Sequence, residues 1–329
     1  MKAVVLTEPG SFEIAEVPDP TPGRTEVVVE VAASGICGTD VHLLHGLYAD
    51  AMPTIPGHEF SGRVVEVGAD VRSLKVGDTV AADPNLPCMS CLQCQRGKVN
   101  LCENYLALGI NRDGSAAQYV AVPEAVCVRL PGPDLNAALI EPLSCAVHAY
   151  DVIADVSLGS RALLYGAGTM GLMMLRLARI AGLAEVGVVD LNTAKLSEAE
   201  RLGAAGTATS AAELGDEPWD LVIDATGAPG AITDGIARVR AGGTFLQFGI
   251  SDPKNRIEIS PYEIFERELS IRGAVRPRFS FERAARLYDS GLIDPGVFVS
   301  DVMPLDDYGK ALDMFVAGES RKILVTPND

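Results

Sequence analysis

The sequence predicts an α/β protein with two domains: a barrel-like antiparallel domain and a doubly wound parallel-sheet domain. Three observations predict it. The chain has 329 residues, more than one compact core usually holds. Its first part is made of short β-type runs closed by Gly and Pro. After about residue 150, strand-like and helix-like segments alternate, which is the pattern of βαβ units. Hydrophobic residues at 48% and charged residues at 22% place the chain among globular proteins rather than disordered ones.

In order along the chain, residues 26–31 and 62–68 read as strands with turn residues at their ends. Val76-Gly77-Asp78 reads as a turn into a strand over 79–81. Residues 161–165 form a buried-type strand, followed by a helix over 170–181, a strand over 185–190 and a helix over 193–202. Later strands are expected at 221–224 and 244–248. From about Leu269 a strand returns, then helices over 280–290 and 305–317 and a last strand over 322–325. Expected boundaries are 1–145 for the first domain, with a cysteine lobe at about 84–104, then 146–271 for the parallel-sheet domain, and 272–329 for a return to the first domain. There is no internal repeat.

Charge excludes some functions. Lys plus Arg is 27 against 44 Asp plus Glu, a formal net charge of −17, which argues against nucleic acid or an anionic membrane as partner. The apolar stretch over 162–183 is broken by Gly166, Gly168, Gly171, Arg176 and Arg179, so it does not read as a membrane span. The N-terminal apolar run is too short for a signal peptide, and a cytoplasmic location is expected. The cysteine count of seven is odd, which does not suit a disulfide framework.

Four of those cysteines follow the spacing Cys88-x₂-Cys91-x₂-Cys94-x₇-Cys102. Four thiolates in a compact loop suit a closed tetrahedral Zn²⁺ site with no position left for substrate. An iron–sulfur cluster uses related spacing, but no other redox feature accompanies it. A second, dispersed set comprises Cys37 in Gly35-Ile36-Cys37-Gly38-Thr39-Asp40-Val41-His42, then Gly57-His58-Glu59, then Glu141-Pro142-Leu143. Thiolate, imidazole and carboxylate make a three-ligand zinc site with a fourth position open. Taken singly, Cys37 and His58 read equally well as a core thiol and a structural histidine.

The third motif is Gly166-Ala167-Gly168-Thr169-Met170-Gly171, between an apolar strand and an apolar helix, with Asp190 ending the next strand. In that context the glycines permit a tight turn and close approach of backbone to a pyrophosphate at the helix N-terminus. Asp190 would accept from the adenosine ribose and repel a 2′-phosphate, which favours NAD over NADP. Lys195 is a further candidate contact to a ribose hydroxyl, or else a solvated helix lysine.

Together these residues resemble the zinc-containing medium-chain dehydrogenase/reductases, over essentially the whole chain and in the right order. The resemblance implies a GroES-like catalytic domain, a Rossmann domain inserted within it, and two zinc ions, one catalytic and one structural. It implies ligation by Cys37 and His58, with Glu59 and Glu141 competing or alternating for the third place, and a structural site of Cys88, Cys91, Cys94 and Cys102. It also implies a homodimer or homotetramer. Within the family, Ala138-Leu139-Ile140-Glu141-Pro142-Leu143-Ser144 and Ile271-Arg272-Gly273-Ala274-Val275-Arg276 resemble the sorbitol (polyol) dehydrogenase branch, with Arg276 near the substrate. Leu43, Pro277 and the 21-position spacing from Cys37 to His58 depart from that branch and leave the alcohol open.

The expected reaction is hydride transfer from a secondary alcohol, a polyol or sugar alcohol, to NAD. Alternatives are another alcohol, threonine, a sugar-alcohol phosphate, or a carbonyl reductase. A zinc-stapled NAD-binding redox sensor would keep the cysteine lobe and the glycine motif without needing an intact Cys37, His58 and Glu141. Thr39 is expected to take the alcohol proton and pass it toward a cofactor ribose and His42. Asp40 is expected to orient His58, with helix N-capping as the plainer role for Thr39 and Asp40. A surface ion pair is the plainer role for Arg276. Tyr48 and Phe265 are candidate pocket walls, Cys127 and Cys145 read as core thiols, and His45 and His148 carry no assigned role.

Overall fold

The structure is a computed structural model that describes residues 1–153 and 156–328. The chain falls into two compact units, Met1–Ser144 with Pro277–Asp329, and Cys145–Arg276.

The first unit opens with β1 (Lys2–Glu8) and β2 (Ser11–Glu16), an antiparallel pair. Next come β3 (Glu26–Gly35), α1 (Gly38–Leu44), β4 (Glu59–Val67) and β5 (Thr79–Ala82). The cysteine lobe holds β6 (Asn85–Leu86), the single-turn α2 (Leu92–Gln95) and β7 (Leu106–Ala107). β8 (Tyr119–Pro123), β9 (Cys127–Arg129) and α3 (Ile140–Ile153) follow. The second unit contains β10 (Arg161–Tyr165), α4 (Thr169–Ile180), β11 (Glu185–Val189), α5 (Thr193–Arg201), β12 (Gly206–Ala208), β13 (Trp219–Asp224), α6 (Pro229–Ala237), β14 (Val239–Gln247), α7 (Pro261–Glu266) and β15 (Ser270–Gly273). The return to the first unit adds α8 (Phe281–Asp289), α9 (Pro295–Phe298), β16 (Val299–Pro304), α10 (Tyr308–Ala317) and β17 (Lys322–Thr326).

In the first unit a seven-stranded sheet runs β16-β17-β3-β4-β5-β9, with β8 also on β3. All its pairings are antiparallel except β16 with β17. Alternate residues Val27, Val29 and Val31 of β3 join Phe60, Val64, Val80, Val120 and Val122 in one buried cluster, as a period of two requires. β3 runs past the expected end at Val31 to Gly35, because Ser34 and Gly35 pair with both β4 and β17.

In the second unit the six strands are all parallel, in the order β12-β11-β10-β13-β14-β15. This is the doubly wound order, with the reversal between β10 and β13. Leu163, Tyr165, Trp219, Val222, Ile232, Ile236 and Phe245 form its core. β14 begins at Val239, earlier than expected, because Ala241-Gly242-Gly243 reads as a turn; the pairing with β13 slips there, between Trp219 and Leu221. The expected helix over 305–317 begins as a 3₁₀ turn over Leu305–Asp307 and becomes α-helical only at Tyr308.

Candidate active site

Strand pairing assembles the dispersed residues. The antiparallel register of β3 and β4 sets Gly35 opposite Glu59. Cys37 follows the end of β3 and His58 precedes the start of β4, so that pairing brings them together. On the other side of β3, Leu324 of β17 faces Gly35, and Ile36 N–H donates to Ile323 O at 2.9 Å. The same register places Lys322 beside Cys37. A side chain at position 35 would displace the Glu59 carboxylate, since a Cβ there would lie 2.3 Å from Glu59 Oε2.

The ligand atoms of Cys37, His58 and Glu59 lie within 4.8 Å of one another. His58 and Glu59 are buried and Cys37 is half-buried. Glu141, in the first turn of α3, is buried but falls outside that compact group of three. Asp40 has two duties. Its Oδ2 accepts from Cys37 N–H at 2.8 Å, closing a capping box at the start of α1. Its Oδ1 accepts from Gly57 N–H at 3.3 Å and lies 3.7 Å from His58 Nδ1. That separation is an ion-pair distance and too long for a hydrogen bond, so His58 Nδ1 is buried without a partner.

Burial alone pulls His58 toward its neutral form. Cys37, Asp40 and Glu141 together outweigh it, and the His58 pKa rises well above the usual value. Burial raises Asp40. Burial also pushes Glu141 up to about 7; His58 counteracts this, while Glu59 and Asp83 add to it. Acidic groups thus outnumber the two bases, His58 and Lys322, in a desolvated site. A divalent cation would balance them, and the thiolate, imidazole and carboxylate donors of Cys37, His58 and Glu59 suit zinc.

Thr39 Oγ1 lies 3.8 Å from Cys37 Sγ. His42, three residues on along α1 and therefore on the same face, is exposed. Arg276 ends the second unit with φ +55° and is half-buried. Tyr48 is 41% and Phe265 77% exposed. His148 is buried within α3, and His45 is the C-cap of α1. Cys127 is half-buried and burial pushes its thiol up to about 12, which suits a core thiol.

In the lobe, the sulfurs of Cys88, Cys91, Cys94 and Cys102 lie within 4.8 Å of one another. Backbone amides aim at them: Cys88 N–H at Cys102 Sγ (3.4 Å), Cys91 N–H at Cys88 Sγ (3.3 Å) and Cys94 N–H at Cys91 Sγ (3.5 Å). Hydrogen bonds from Ser90 and Asn104 hold the Cys88 thiol down to about 5, while burial and the neighbouring sulfurs push Cys94 up to about 12. Four sulfur donors at these distances suit a tetrahedral zinc ion.

In the second unit the glycine loop joins β10 to α4. A Cβ at Gly171 would meet Gly166 O at 1.9 Å, so only glycine lets the helix pack against the loop. Gly168 is the N-cap of α4 and offers no side-chain acceptor, which leaves the first-turn amides near Thr169 and Met170 for an anion. Asp190 Oδ2 accepts from Ala167 N–H at 2.7 Å and Oδ1 from Asn192 N–H at 2.8 Å. Its carboxylate thus also holds the glycine loop in shape. Lys195 is half-buried on α5.

Comparison with known proteins identifies the family. Residues 23–132 match the alcohol dehydrogenase GroES-like domain, and residues 169–290 match the zinc-binding dehydrogenase domain. The chain belongs to the zinc-binding alcohol dehydrogenases. This dehydrogenase is 35% identical to D-arabinitol dehydrogenase 1 of Uromyces fabae, covering 100% of this chain and 97% of that one. It is 32% identical to L-threonine 3-dehydrogenase of Bacillus velezensis, covering 99% of each. Among solved structures it is similar to a zinc-binding dehydrogenase of Sinorhizobium meliloti 1021 bound to NADP, at TM-score 0.92 and 35% identity over 99% of both chains. Among the described residues of the dehydrogenase, no helix is long and apolar enough to cross a membrane.

One residue escaped the sequence reading. Lys322 is 3% exposed, and its Nζ donates to Glu59 Oε1 and Oε2 and to Ile36 O. A lysine opening the strand Lys322-Ile323-Leu324-Val325 resembles an ordinary solvent-facing strand end. Only the β3–β17 register reveals that it points inward.

Proposed function

We propose that this dehydrogenase oxidises a secondary alcohol of a polyol with NAD, using a zinc ion held by Cys37, His58 and Glu59. The observation that carries the reading is the buried three-donor group, whose ligand atoms lie within 4.8 Å of one another. When bound, zinc supplies the Lewis acidity that makes the alcohol proton more acidic, and NAD accepts the hydride. Thr39 Oγ1, beside Cys37 Sγ, would accept the alcohol proton as its own hydroxyl proton passes toward a cofactor ribose and the exposed His42, which releases it to solvent. Glu141 supplies a second buried carboxylate behind the ligand set. Asp40 braces both the Cys37 amide and the His58 ring. Arg276 is assigned to the substrate hydroxyls, and Cys88, Cys91, Cys94 and Cys102 to a structural zinc. Gly166, Gly168, Thr169, Met170 and Gly171 cradle the pyrophosphate, and Asp190 and Lys195 meet the adenosine ribose.

The polyol is favoured by the match to D-arabinitol dehydrogenase over the full chain and by the resemblance of residues 138–144 to the sorbitol dehydrogenase branch. Threonine is the second reading, favoured by the full-length match to threonine dehydrogenase. Steady-state oxidation of pentitols, hexitols and L-threonine, each with NAD and with NADP, tests both readings. Turnover of polyols with NAD is expected, and turnover of threonine alone would replace the polyol reading. In the same assay Asp190→Ala is expected to lower kcat/KM for NAD by about tenfold, the cost of one hydrogen bond to a charged group. An unchanged NAD-to-NADP ratio would contradict the role given to Asp190.

A cytoplasmic location is supported by seven cysteines none of which forms a disulfide, as expected where thiols stay reduced. A homodimer or homotetramer is supported by the exposed Tyr262, Phe265 and Ile271 near the edge strand β15.

A further inference from the structure

A cavity of about 550 Å³ lies within the first unit, and none of its lining residues belongs to the Cys37 group. Three segments meet there. The cysteine lobe supplies Leu86, Met89 and Val99, β9 supplies Val128, and the stretch leading into α8 supplies Phe279 and Phe281. The volume falls in the range of roughly 300–1,000 Å³ that small-molecule pockets occupy, and the walls are mainly apolar, as such pockets are.

Two of the wall residues are held under backbone strain. Met89 has φ +57° and Phe279 φ +53°, left-handed conformations that bulky side chains seldom adopt. Burial does not offset the strain, since Met89 is 61% and Phe279 64% exposed. Large apolar side chains strained into one cavity wall from segments 190 positions apart point to a ligand, because folding alone gains little from either.

The charge on the walls has one sign. Among the described residues that line the cavity, Asp83 and Glu282 carry the only formal charges. Glu282 is paired with Arg286, one turn along α8. Asp83 has no cation beside it. Its Oδ1 accepts from Asn85 N–H at 3.0 Å and from Asn85 Nδ2 at 2.8 Å, and among the described residues no hydrogen bond reaches its Oδ2. Burial raises the Asp83 pKa, and only the two Asn85 hydrogen bonds oppose it. A desolvated carboxylate with a free oxygen is matched best by an ammonium group, which donates charge-assisted hydrogen bonds. The exposed Phe279 ring suits the same cation through its π face.

We propose that this cavity binds an organic ammonium ion with an apolar body, its charged end at Asp83 and its body against Met89 and Phe279. The bound molecule touches the lobe, β9 and the stretch before α8 together. It therefore ties the lobe to the large sheet of the first unit.

The probe is dansylcadaverine, a fluorescent naphthalene sulfonamide with a primary ammonium on a pentyl tail. Dansyl-aminocaproate, of similar length but ending in a carboxylate, is the control. Each is titrated into the zinc-loaded protein with saturating NAD, which keeps the cofactor site occupied. Dansylcadaverine is expected to bind about tenfold more tightly than the carboxylate, the scale of one hydrogen bond to a charged group. Asp83→Asn is expected to remove that preference.

Phe279→Gly keeps the test open if Asp83→Asn folds poorly. Glycine adopts φ +53° without strain, so the thermal midpoint is expected to stay level or rise. The ring is lost, so dansylcadaverine is expected to bind about fivefold more weakly. Binding that neither substitution changes would put the probe elsewhere and overturn the proposal. Equal affinity for the two probes, or no saturable binding below millimolar concentration, would overturn it as well. A lower midpoint in Phe279→Gly with unchanged binding would make Phe279 a purely structural residue, with the same consequence.

Discussion

Cys37→Ser is expected to reduce zinc from two ions per chain to one and to lower kcat/KM for alcohol oxidation by about a thousandfold. Cys37 is one of three donors grouped within 4.8 Å, so the site loses its only thiolate. Lewis-acid stabilisation supplies several kcal/mol, and about 4 kcal/mol corresponds to three orders of magnitude in rate. The fold should survive. Cys37 is a half-buried N-cap of a seven-residue helix, and Asp40 keeps its hydrogen bond to the position-37 amide, which does not depend on the side chain. Metal analysis, steady-state kinetics and circular dichroism on one preparation check the three parts together. A variant that keeps both zinc ions and full activity would contradict the site.

Cys102→Ser is expected to have the opposite profile, a large loss of stability with chemistry retained. The lobe has almost no core of its own: its buried cluster is Cys94, Val99 and Cys102, packed against Cys88 and Cys91. Its regular elements are one four-residue helix, one three-residue 3₁₀ turn and two two-residue strands. Elements this short bury too little to order themselves, so a metal has to hold the segment together. Loss of one ligand is expected to cost about 3 kcal/mol or more, which lowers the thermal midpoint by on the order of 10 °C. The kcat/KM of the protein that remains folded should stay within about threefold of the parent, since no lobe cysteine belongs to the Cys37 group. Scanning calorimetry with and without chelator checks the stability. A fall in activity as large as that of Cys37→Ser would show that the lobe does more than staple.

Contiguous features were the most legible in the sequence. The alternation after residue 150 gave the parallel sheet, because strands buried on both faces read as unbroken apolar runs such as Ala162-Leu163-Leu164. The cysteine lobe and the glycine loop carry their chemistry within a few residues of one another. The residues of the Cys37 site stood in the sequence as one of two readings, metal ligands or core groups, and family resemblance chose between them. No local pattern reveals that β3 pairs with β4 so that Gly35 faces Glu59, and a one-residue slip would turn that carboxylate to the other face. Lys322 was hidden for the same reason, since its partner is 263 positions away. The double duty of Asp40 and the bond from Asp190 to the Ala167 amide were also out of reach, because both depend on where a loop returns in space.

Anomalous diffraction at the zinc edge, from crystals of the protein grown with zinc, tests the central claim most directly. Two peaks per chain are expected, one among the sulfurs of Cys88, Cys91, Cys94 and Cys102 and one among Cys37, His58 and Glu59. A peak in the lobe with none beside Cys37 would contradict the claim that this chain assembles a catalytic zinc site.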